Sequence, residues 1–492
     1  MNALNLSKSK FKRKPINGST ILIAIFFSLF IFISFKFAPK SFLPISPSKT
    51  LTLEFPQCSS RTLDQKFLFY APHSGFSNQL SELRNAIVMA AILNRTLIVP
   101  PILDHHAIVL GKCPKFKVTS PPSELRNAVF HYAISLIRNH RQVSFAYVSM
   151  ADVVDLSSVV SSSLLRVIDF RVFLYLWCGV NADFTCFKDL DIRSSLFDTI
   201  WQCGSVLSGF LGSLDRCLFA VEEDCRTTVW TYQENNKDGV LDAFQPDEDL
   251  REKRKISYVR RRRDVCKAFG PNSVAELAMV LAFGSLFTAP YKWSELYIDI
   301  HEAPKDQRIQ SVMEKIKYLP FVPEIISAGK EFAVKTIKAP FLCAQIRLLD
   351  GQFKKHQEAT FLRLKEKVEL LRQKGPLPIP IFVMTDLAES NWSGTYLDEL
   401  VSSDSVKLHY LKQEDELVLK TAKKVMAAGH SMRFGSVPDK FSKMKDCASL
   451  MLPDMLLFLE ETICSCASLG FVGTAGSTIA ENIELMREFG TC

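Results

Sequence analysis

The hydrophobic pattern of this chain divides it into regions of different character. Residues 20–35 form an almost entirely apolar run. In residues 65–110 and 340–490, short apolar runs alternate with amphipathic stretches, which is typical of alternating strands and helices in an α/β protein. Residues 115–330 show no pattern regular enough to assign their elements. The pattern therefore predicts two α/β regions behind an apolar N-terminal segment.

The first alternating region reads as one strand-helix-strand unit. An apolar run at 67–70 predicts a strand, a turn follows over 71–78, and residues 80–91 carry their apolar side chains on one helical face. A second strand is predicted at 97–99. Such a unit is right-handed, and its turn lies at the carboxyl end of the first strand.

The second alternating region contains four predicted strands and four predicted helices. In chain order they are a strand at 341–346, a helix at 358–374, strands at 379–384 and 406–411, helices at 415–428 and 454–463, a strand at 469–472 and a helix at 478–489. Two α/β regions with a cleft between them is the expected architecture, and the loops at the carboxyl ends of the strands face that cleft.

The N-terminal apolar run is predicted to be a membrane anchor. Five basic residues and no acidic one precede it, a distribution that keeps an N-terminus in the cytoplasm. A cleaved signal peptide is the alternative, but the run is longer than the apolar core of such peptides and lacks a small-residue cleavage pattern after it. We expect a cytoplasmic tail at 1–19, a transmembrane helix at 20–38, a stem at 39–62, and lumenal domains at 63–335 and 336–492.

Charge and cysteine content agree with a lumenal body. The eight basic residues of 1–49 account for the whole net charge of +8, so the rest lacks the positive field of a dedicated nucleic-acid binder. Thirteen cysteines predict several disulfides. Spacing does not give their pairing, and the odd total leaves a free thiol or an intermolecular bond. Sequons at Asn94 and Asn391 predict N-glycosylation, although Asn94 falls in a predicted turn.

Three loops carry candidate chemistry. The loop from His73 to Asn78 precedes a helix N-terminus, where N–H groups suit an anion; a plain tight turn is the alternative. Arg347 leaves a strand at its carboxyl edge, where its planar fork suits a phosphate; a structural ion pair with Asp350 is the alternative. Residues 473–478 form a Gly- and hydroxyl-rich turn able to hold a pyrophosphate, and an ordinary Ser/Thr N-cap is the alternative.

The three loops and one further strand end resemble a known family. The blocks H-S-G-F-S-N-Q, Q-I-R-L-L-D, I-F-V-M-T-D and F-V-G-T-A-G-S-T-I-A-E-N occur here in the order of the plant O-fucosyltransferase-like family, which is similar to the animal protein O-fucosyltransferases. The resemblance implies a GT-B fold, with an acceptor-side domain at 63–335 and a GDP-sugar-binding domain at 336–492. It also implies a GDP-sugar donor, usually GDP-fucose, inversion at the anomeric carbon, and no metal or other cofactor. The sequence leaves open whether the sugar is fucose or mannose and which glycan or glycoprotein is the acceptor. The N-terminal anchor predicts a Golgi membrane location.

The resemblance assigns roles to individual residues. Arg347 matches the arginine that faces the β-phosphate, and Asp386 matches a donor-site or structural aspartate. The remaining donor-binding positions are Gly75 and Asn78 in the first loop and Ser477 and Thr478 in the third.

Three positions depart from the family pattern. Gln345 stands where the family usually has a histidine, Ser74 where one animal branch has a catalytic glutamate, and Ile479 where a phenylalanine is frequent. Donor binding is therefore better supported than proton abstraction, and His73 remains the candidate base.

Rival functions rest on other segments. Glu234, Asn236, Asp238 and Asp242 have the spacing of calcium ligands in an EF-hand loop, but the bidentate glutamate expected at its twelfth position is missing. A calcium-binding protein is thus the second hypothesis. The alternative interpretation of this segment is a solvent-exposed acidic turn that binds no ion. The basic clusters at 253–255 and 260–263 are candidates for binding nucleic acid, and Asp189-Leu-Asp191 is a candidate for binding a metal. Cys464-Ser-Cys466 lacks the spacing of a zinc pair, so no metal is expected there.

Overall fold

The computed structural model describes part of the 492-residue chain. The described residues are 65–70, 75–102, 148–161, 163–173, 218–220, 228–232, 240–243, 259–283, 286, 298–299, 306–349, 353–434, 452 and 454–492. All of them belong to one unit, which spans 54–492. The predicted tail, anchor and stem at 1–62 lie outside these ranges. Within the ranges, no helix has both the length and the apolar character needed to cross a bilayer.

Strands and helices alternate along most of the described chain. The strands are β1 (Phe67–Tyr70), β2 (Thr96–Val99), β3 (Val167–Asp169), β4 (Leu218–Ala220), β5 (Thr228–Thr231), β6 (Val240–Ala243), β7 (Val259–Asp264), β8 (Val280–Phe283), β9 (Ile298–Asp299), β10 (Leu342–Ile346), β11 (Ile379–Thr385), β12 (Val406–His409) and β13 (Gly470–Gly473). The α-helices are α1 (Phe76–Ile92), α2 (Met150–Val153), α3 (Ser157–Val160), α4 (Val265–Phe269), α5 (Gln307–Ile316), α6 (Pro323–Phe332), α7 (Lys354–Arg372), α8 (Tyr396–Val401), α9 (Glu416–Ala428), α10 (Met455–Ser465) and α11 (Thr478–Glu488).

The first sheet has the order β3-β2-β1-β8-β4 and is parallel throughout. The predicted strand-helix-strand unit is confirmed as β1, α1 and β2. All four residues of both strands are buried, as expected for a parallel sheet covered on its two faces. Residues 71–74 of the predicted turn lie outside the described residues.

A second parallel sheet has the order β12-β11-β10-β13. Its four predicted strands and the helices around it are confirmed, with small shifts at their ends. Helix α7 begins at Lys354, before the predicted start at 358. The prediction missed its first turn because that turn buries no apolar side chain and so carries no hydrophobic pattern. Strand β12 ends at His409, although Leu411 beyond it is still buried.

The middle of the chain adds a mixed sheet that the sequence did not predict. Its order is β6-β7-β5-β9, and only β6 runs antiparallel to its neighbour. Strand β7 is Val-Arg-Arg-Arg-Arg-Asp, so the basic cluster at 260–263 is a strand of a sheet. Four consecutive arginines lack the alternation that marks strands, which explains why the pattern gave no sign of it.

One hydrophobic cluster connects the helices of the first and second sheets. The ring of Phe76, in the first turn of α1, lies 4.4 Å from that of Phe458 on α10 and 5.9 Å from that of Phe321. All three are buried. The start of α1 is therefore held by packing against α10, a helix from the second half of the chain.

Two disulfides lie in the C-terminal region. Cys343 on β10 pairs with Cys464 on α10, and Cys466 pairs with Cys492, the last residue. The two cysteines of Cys464-Ser-Cys466 thus serve separate bridges, which agrees with the prediction that they are not a zinc pair. Cys266 is a free thiol in the described part of the chain.

Candidate active site

Arg347 follows β10 directly and is held by its backbone. Its N–H donates to Thr474 Oγ1 at 3.0 Å, which joins the end of β10 to the loop after β13. Cys343 and Gln345 share one face of β10 because side chains alternate along a strand, and Arg347 is next on that face. Its side chain is 25% exposed, so the guanidinium is supported by protein and still reaches solvent.

Asp386, at the end of β11, orients Arg347. Its Oδ2 lies 3.1 Å from Arg347 Nε, and its Oδ1 accepts hydrogen bonds from the N–H groups of Leu348 and Leu349 at 2.7 and 3.2 Å. The Phe353 ring lies 5.4 Å from the guanidinium carbon, within cation–π range. Asp386 is thus the described partner of Arg347, and the predicted alternative partner, Asp350, lies outside the described residues.

The hydroxyl-rich loop 473–478 lies beside Arg347 because β13 is the neighbour of β10. Gly473 has no space for a side chain, since a Cβ there would lie 2.6 Å from the Cβ of Ala480 on α11. Gly476 adopts φ +73°, a left-handed conformation that favours glycine. The two glycines let the loop turn tightly onto the N-terminus of α11.

Ser477 occupies the N-cap position of α11, but its side chain makes no capping hydrogen bond. Instead its Oγ accepts a hydrogen bond from Gln345 Nε2 at 3.4 Å. Thr478 is half-buried in the first turn. The start of α11 therefore presents backbone N–H groups without a side-chain cap, which is a favourable place for an anion.

The first loop is fixed differently. Gly75 is the N-cap of α1 and accepts backbone hydrogen bonds from Asn78 and Gln79 at 3.0 and 3.1 Å. Asn78 is half-buried. Among the described residues neither Gly75 nor Asn78 shares a hydrogen bond with the cluster around Arg347, and His73 lies outside the described ranges. The structure thus joins the second and third loops by hydrogen bonds.

Comparison with known proteins identifies the family. No family model matches the chain. It is 54% identical over 498 residues to O-fucosyltransferase 30 of Arabidopsis thaliana, an alignment that covers 99% of this chain and 96% of that protein. The chain belongs to the O-fucosyltransferase family. The predicted resemblance is confirmed, and the protein is a glycosyltransferase.

Solved structures of fucosyltransferases are more distant from this O-fucosyltransferase family member. POFUT1 in complex with GDP-fucose is 13% identical with a TM-score of 0.39, covering 86% of this chain and 95% of that one. NodZ from Bradyrhizobium is 12% identical with a TM-score of 0.32, covering 86% and 93%. Structural similarity this low assigns no role to individual residues of this chain.

The sequence did not single out several polar residues that shape the site. Glu461 on α10 is fully buried, and burial raises its pKa to about 8. Asn482 of α11 donates from Nδ2 to its Oε2, which fixes α11 against α10. The signal was present as two adjacent glutamates, Glu460 and Glu461, inside an otherwise apolar helical run. The sequence places Thr474 in a hydroxyl-rich turn but gives no sign of its hydrogen bonds to Gln345 and Arg347.

The remaining predicted sites are placed as follows. Asn391 is exposed in a short 3-10 helix, whereas the sequon of Asn94 has its Thr96 buried in β2. Asp242 lies on β6, while the other three EF-hand-like candidates at 234–238 lie outside the described residues. In the described ranges no group of three or more His, Cys, Asp or Glu side chains is arranged to hold a metal ion.

Proposed function

We propose that this protein is an inverting O-fucosyltransferase that moves fucose from GDP-fucose to a hydroxyl group of a protein or glycan, without a divalent metal. Its fold is then GT-B-like, with two Rossmann-like halves facing a cleft. The observation that carries the proposal is the adjacency of Arg347 to the hydroxyl-rich loop and the uncapped start of α11. The relationship to O-fucosyltransferase 30 supports the same reaction.

The chemistry follows from where negative charge develops. The acceptor oxygen attacks the anomeric carbon of the sugar from the face opposite GDP, and the bond from that carbon to the β-phosphate oxygen breaks. The bonding electron pair stays on GDP, so charge grows on the diphosphate. Preorganised donors at that position lower the barrier. Arg347, the hydroxyls of Ser477 and Thr478, and the N–H groups of α11 supply such donors.

The proton of the acceptor hydroxyl must go to a base. His73 is the proposed base, because the sequence places it between β1 and α1 and imidazole titrates near neutral pH. Inversion follows because a single displacement from the opposite face changes the configuration once.

The proposed setting is the Golgi lumen, with the N-terminal apolar run as a type II anchor. The apolar length and the basic flank support this topology. Protease treatment of intact vesicles tests it: the C-terminal body should be protected until detergent is added. Digestion without detergent would contradict a lumenal body.

A donor panel tests the reaction itself. Full-length protein in detergent should release GDP from GDP-fucose faster than from GDP-mannose. This release should persist in EDTA, because the groups proposed to stabilise the diphosphate are protein side chains and backbone N–H groups and not a metal ion. The matched variant Arg347→Ala should lose the activity. If chelation abolishes GDP binding and calcium alone restores it, the calcium hypothesis for Glu234–Asp242 replaces the present one.

A further inference from the structure

Gln345 is a buried amide placed between Arg347 and the hydroxyl-rich loop. It is 1% exposed and lies two residues before Arg347 on β10. Its Oε1 accepts a hydrogen bond from the N–H of Thr474 at 3.1 Å, and its Nε2 donates to Ser477 Oγ at 3.4 Å. Both polar atoms of this side chain therefore form hydrogen bonds with the loop.

The same residue connects the loop to Arg347 through its backbone. The carbonyl of Gln345 accepts from both the N–H and the Oγ1 of Thr474 at 3.0 Å. Thr474 Oγ1 in turn accepts from the N–H of Arg347 at 3.0 Å. A continuous chain of hydrogen bonds thus runs from Ser477 through Gln345 and Thr474 to Arg347.

The chemical type of this side chain matters because the family pattern has a histidine at its position. An amide keeps one donor and one acceptor at every pH. A neutral imidazole also offers one of each, but a protonated imidazole has two donors and no acceptor. It would then face the N–H of Thr474 with another N–H.

We propose that Gln345 is a positioning residue that holds the hydroxyl-rich loop against Arg347 with a side chain that does not titrate. The proposal rests on the proposed function, because it concerns the same donor site. It assigns Gln345 no contact with the sugar nucleotide. Its effect on GDP passes through Ser477, Thr474 and Arg347.

The elements next to β10 and the hydroxyl-rich loop also carry charged groups. They are Arg347 after β10, Asp386 after β11, Arg363 of α7, which donates to the carbonyl of Gly473 at 3.0 Å, Glu460 and Glu461 on α10, and Glu481 on α11. Every measurement below is therefore compared with the wild-type protein at the same pH.

Gln345→Leu is the first test, since leucine has a similar volume and no polar atom. We expect the dissociation constant of GDP and the KM for GDP-fucose to rise roughly tenfold, because the loop loses the two side-chain hydrogen bonds that hold it against Arg347. The KM for the acceptor should not change. A merely structural role predicts a lower melting temperature with unchanged GDP affinity in the folded fraction, and that result would overturn the proposal.

Gln345→His is the second test, because it restores the hydrogen bonds only when the ring is neutral. At pH 8 its GDP affinity should lie within about threefold of wild type, and at pH 5.5 it should fall to the level of Gln345→Leu, with a transition near the ordinary histidine pKa of about 6.5. Equal or tighter binding at pH 5.5 than at pH 8, relative to wild type, would show that the ring acts on the diphosphate directly and would overturn the proposal.

Gln373→His is the matched control, since Gln373 is exposed at the far end of α7, about 28 Å of helix from its start. It should leave GDP affinity unchanged at both pH values. The wild-type protein separates the two levels of inference. If wild type binds no GDP, the proposed function fails; if wild type binds GDP and both Gln345 variants match it, only the positioning role fails.

Discussion

The two parallel sheets hold the loops at their carboxyl edges by different forces. At the second sheet, Asp386 and Thr474 fix the segment around Arg347 through hydrogen bonds and one ion pair. At the first sheet, the start of α1 is fixed by the packing of Phe76 against Phe321 and Phe458. The difference teaches that catalytic defects and folding defects should separate by region: polar changes near Arg347 alter chemistry, and apolar changes near α1 alter stability.

The largest expected effect is at the start of α1, the region that is held by packing. Phe76→Ala removes a buried ring and should lower the free energy of unfolding by about 3–5 kcal/mol. Thermal or denaturant unfolding of the full chain measures it, with Phe489→Ala as the control, because that ring is 46% exposed. GDP affinity of the folded fraction should stay normal. A stable variant with lost GDP affinity would reverse the proposed division between the regions.

Arg347→Ala tests the polar side. We expect turnover to fall by about 10²–10³, the effect of removing one preorganised charge-stabilising donor, with little change in melting temperature. Arg347→Lys should recover only part of the activity, because lysine keeps the charge and loses the planar fork. The control is Arg372→Ala, an exposed arginine at the other end of α7. Unchanged turnover in a folded Arg347→Ala protein would remove this residue from the proposed mechanism.

Asp386→Asn sharpens the same side of the comparison. The amide oxygen can still accept from the loop N–H groups, but the charge that faces Arg347 is gone. Turnover should fall about tenfold, as for the loss of a partly exposed charged hydrogen bond, while Tm changes little. Asp404→Asn, at an exposed position, is the control. A large fall in Tm with normal turnover would make Asp386 a purely structural residue.

For a change of one pH unit, the smallest effect is a pH dependence of stability from Glu461. Burial raises its pKa from 4.5 to about 8, so the folded chain holds this proton more tightly than the unfolded chain. The free energy of unfolding should therefore fall as the pH rises from 4.5 to about 8, by about 1 kcal/mol per pH unit from this residue. Burial also raises the pKa of Glu460, so Glu461→Gln should reduce the slope without abolishing it, and exposed Glu488→Gln should leave it unchanged. Equal slopes in all three proteins would contradict a protonated Glu461.

The sequence predicted the strands of the second parallel sheet and β1, α1 and β2 of the first, because their apolar runs are short, regular and separated by turn residues. It did not assign β3, β4 and β8, the other strands of the first sheet, which come from the irregular middle of the chain. It also placed Arg347 and loop 473–478 at strand ends, since the carboxyl ends of strands can be read from where apolar runs stop. It did not predict the pairing of Asp386 with Arg347 or of Gln345 with the loop. Those contacts depend on which strands are neighbours, and strand order is set by packing between segments far apart in the chain.

The middle sheet was missed for a different physical reason. Strand β7 consists mainly of arginines and β9 has only two residues, so neither carries an alternating apolar pattern. Strand β7 has β6 and β5 as partners, and β9 pairs with β5 at the edge of the sheet; such pairing is an effect of tertiary context that single-segment patterns do not record.

The shared hydrophobic cluster limits how the protein can be divided or recombined. Phe458 on α10 packs against Phe76 and Phe321, both from the first part of the chain. A polypeptide cut at the predicted boundary near 336 would expose that ring and its buried neighbours Leu459 and Ile463 to water. The half of the chain after residue 336 is therefore not an interchangeable module. New acceptor specificities built on this scaffold have to arise by changes within one continuous core, since a swapped half would bring a surface that fits no partner.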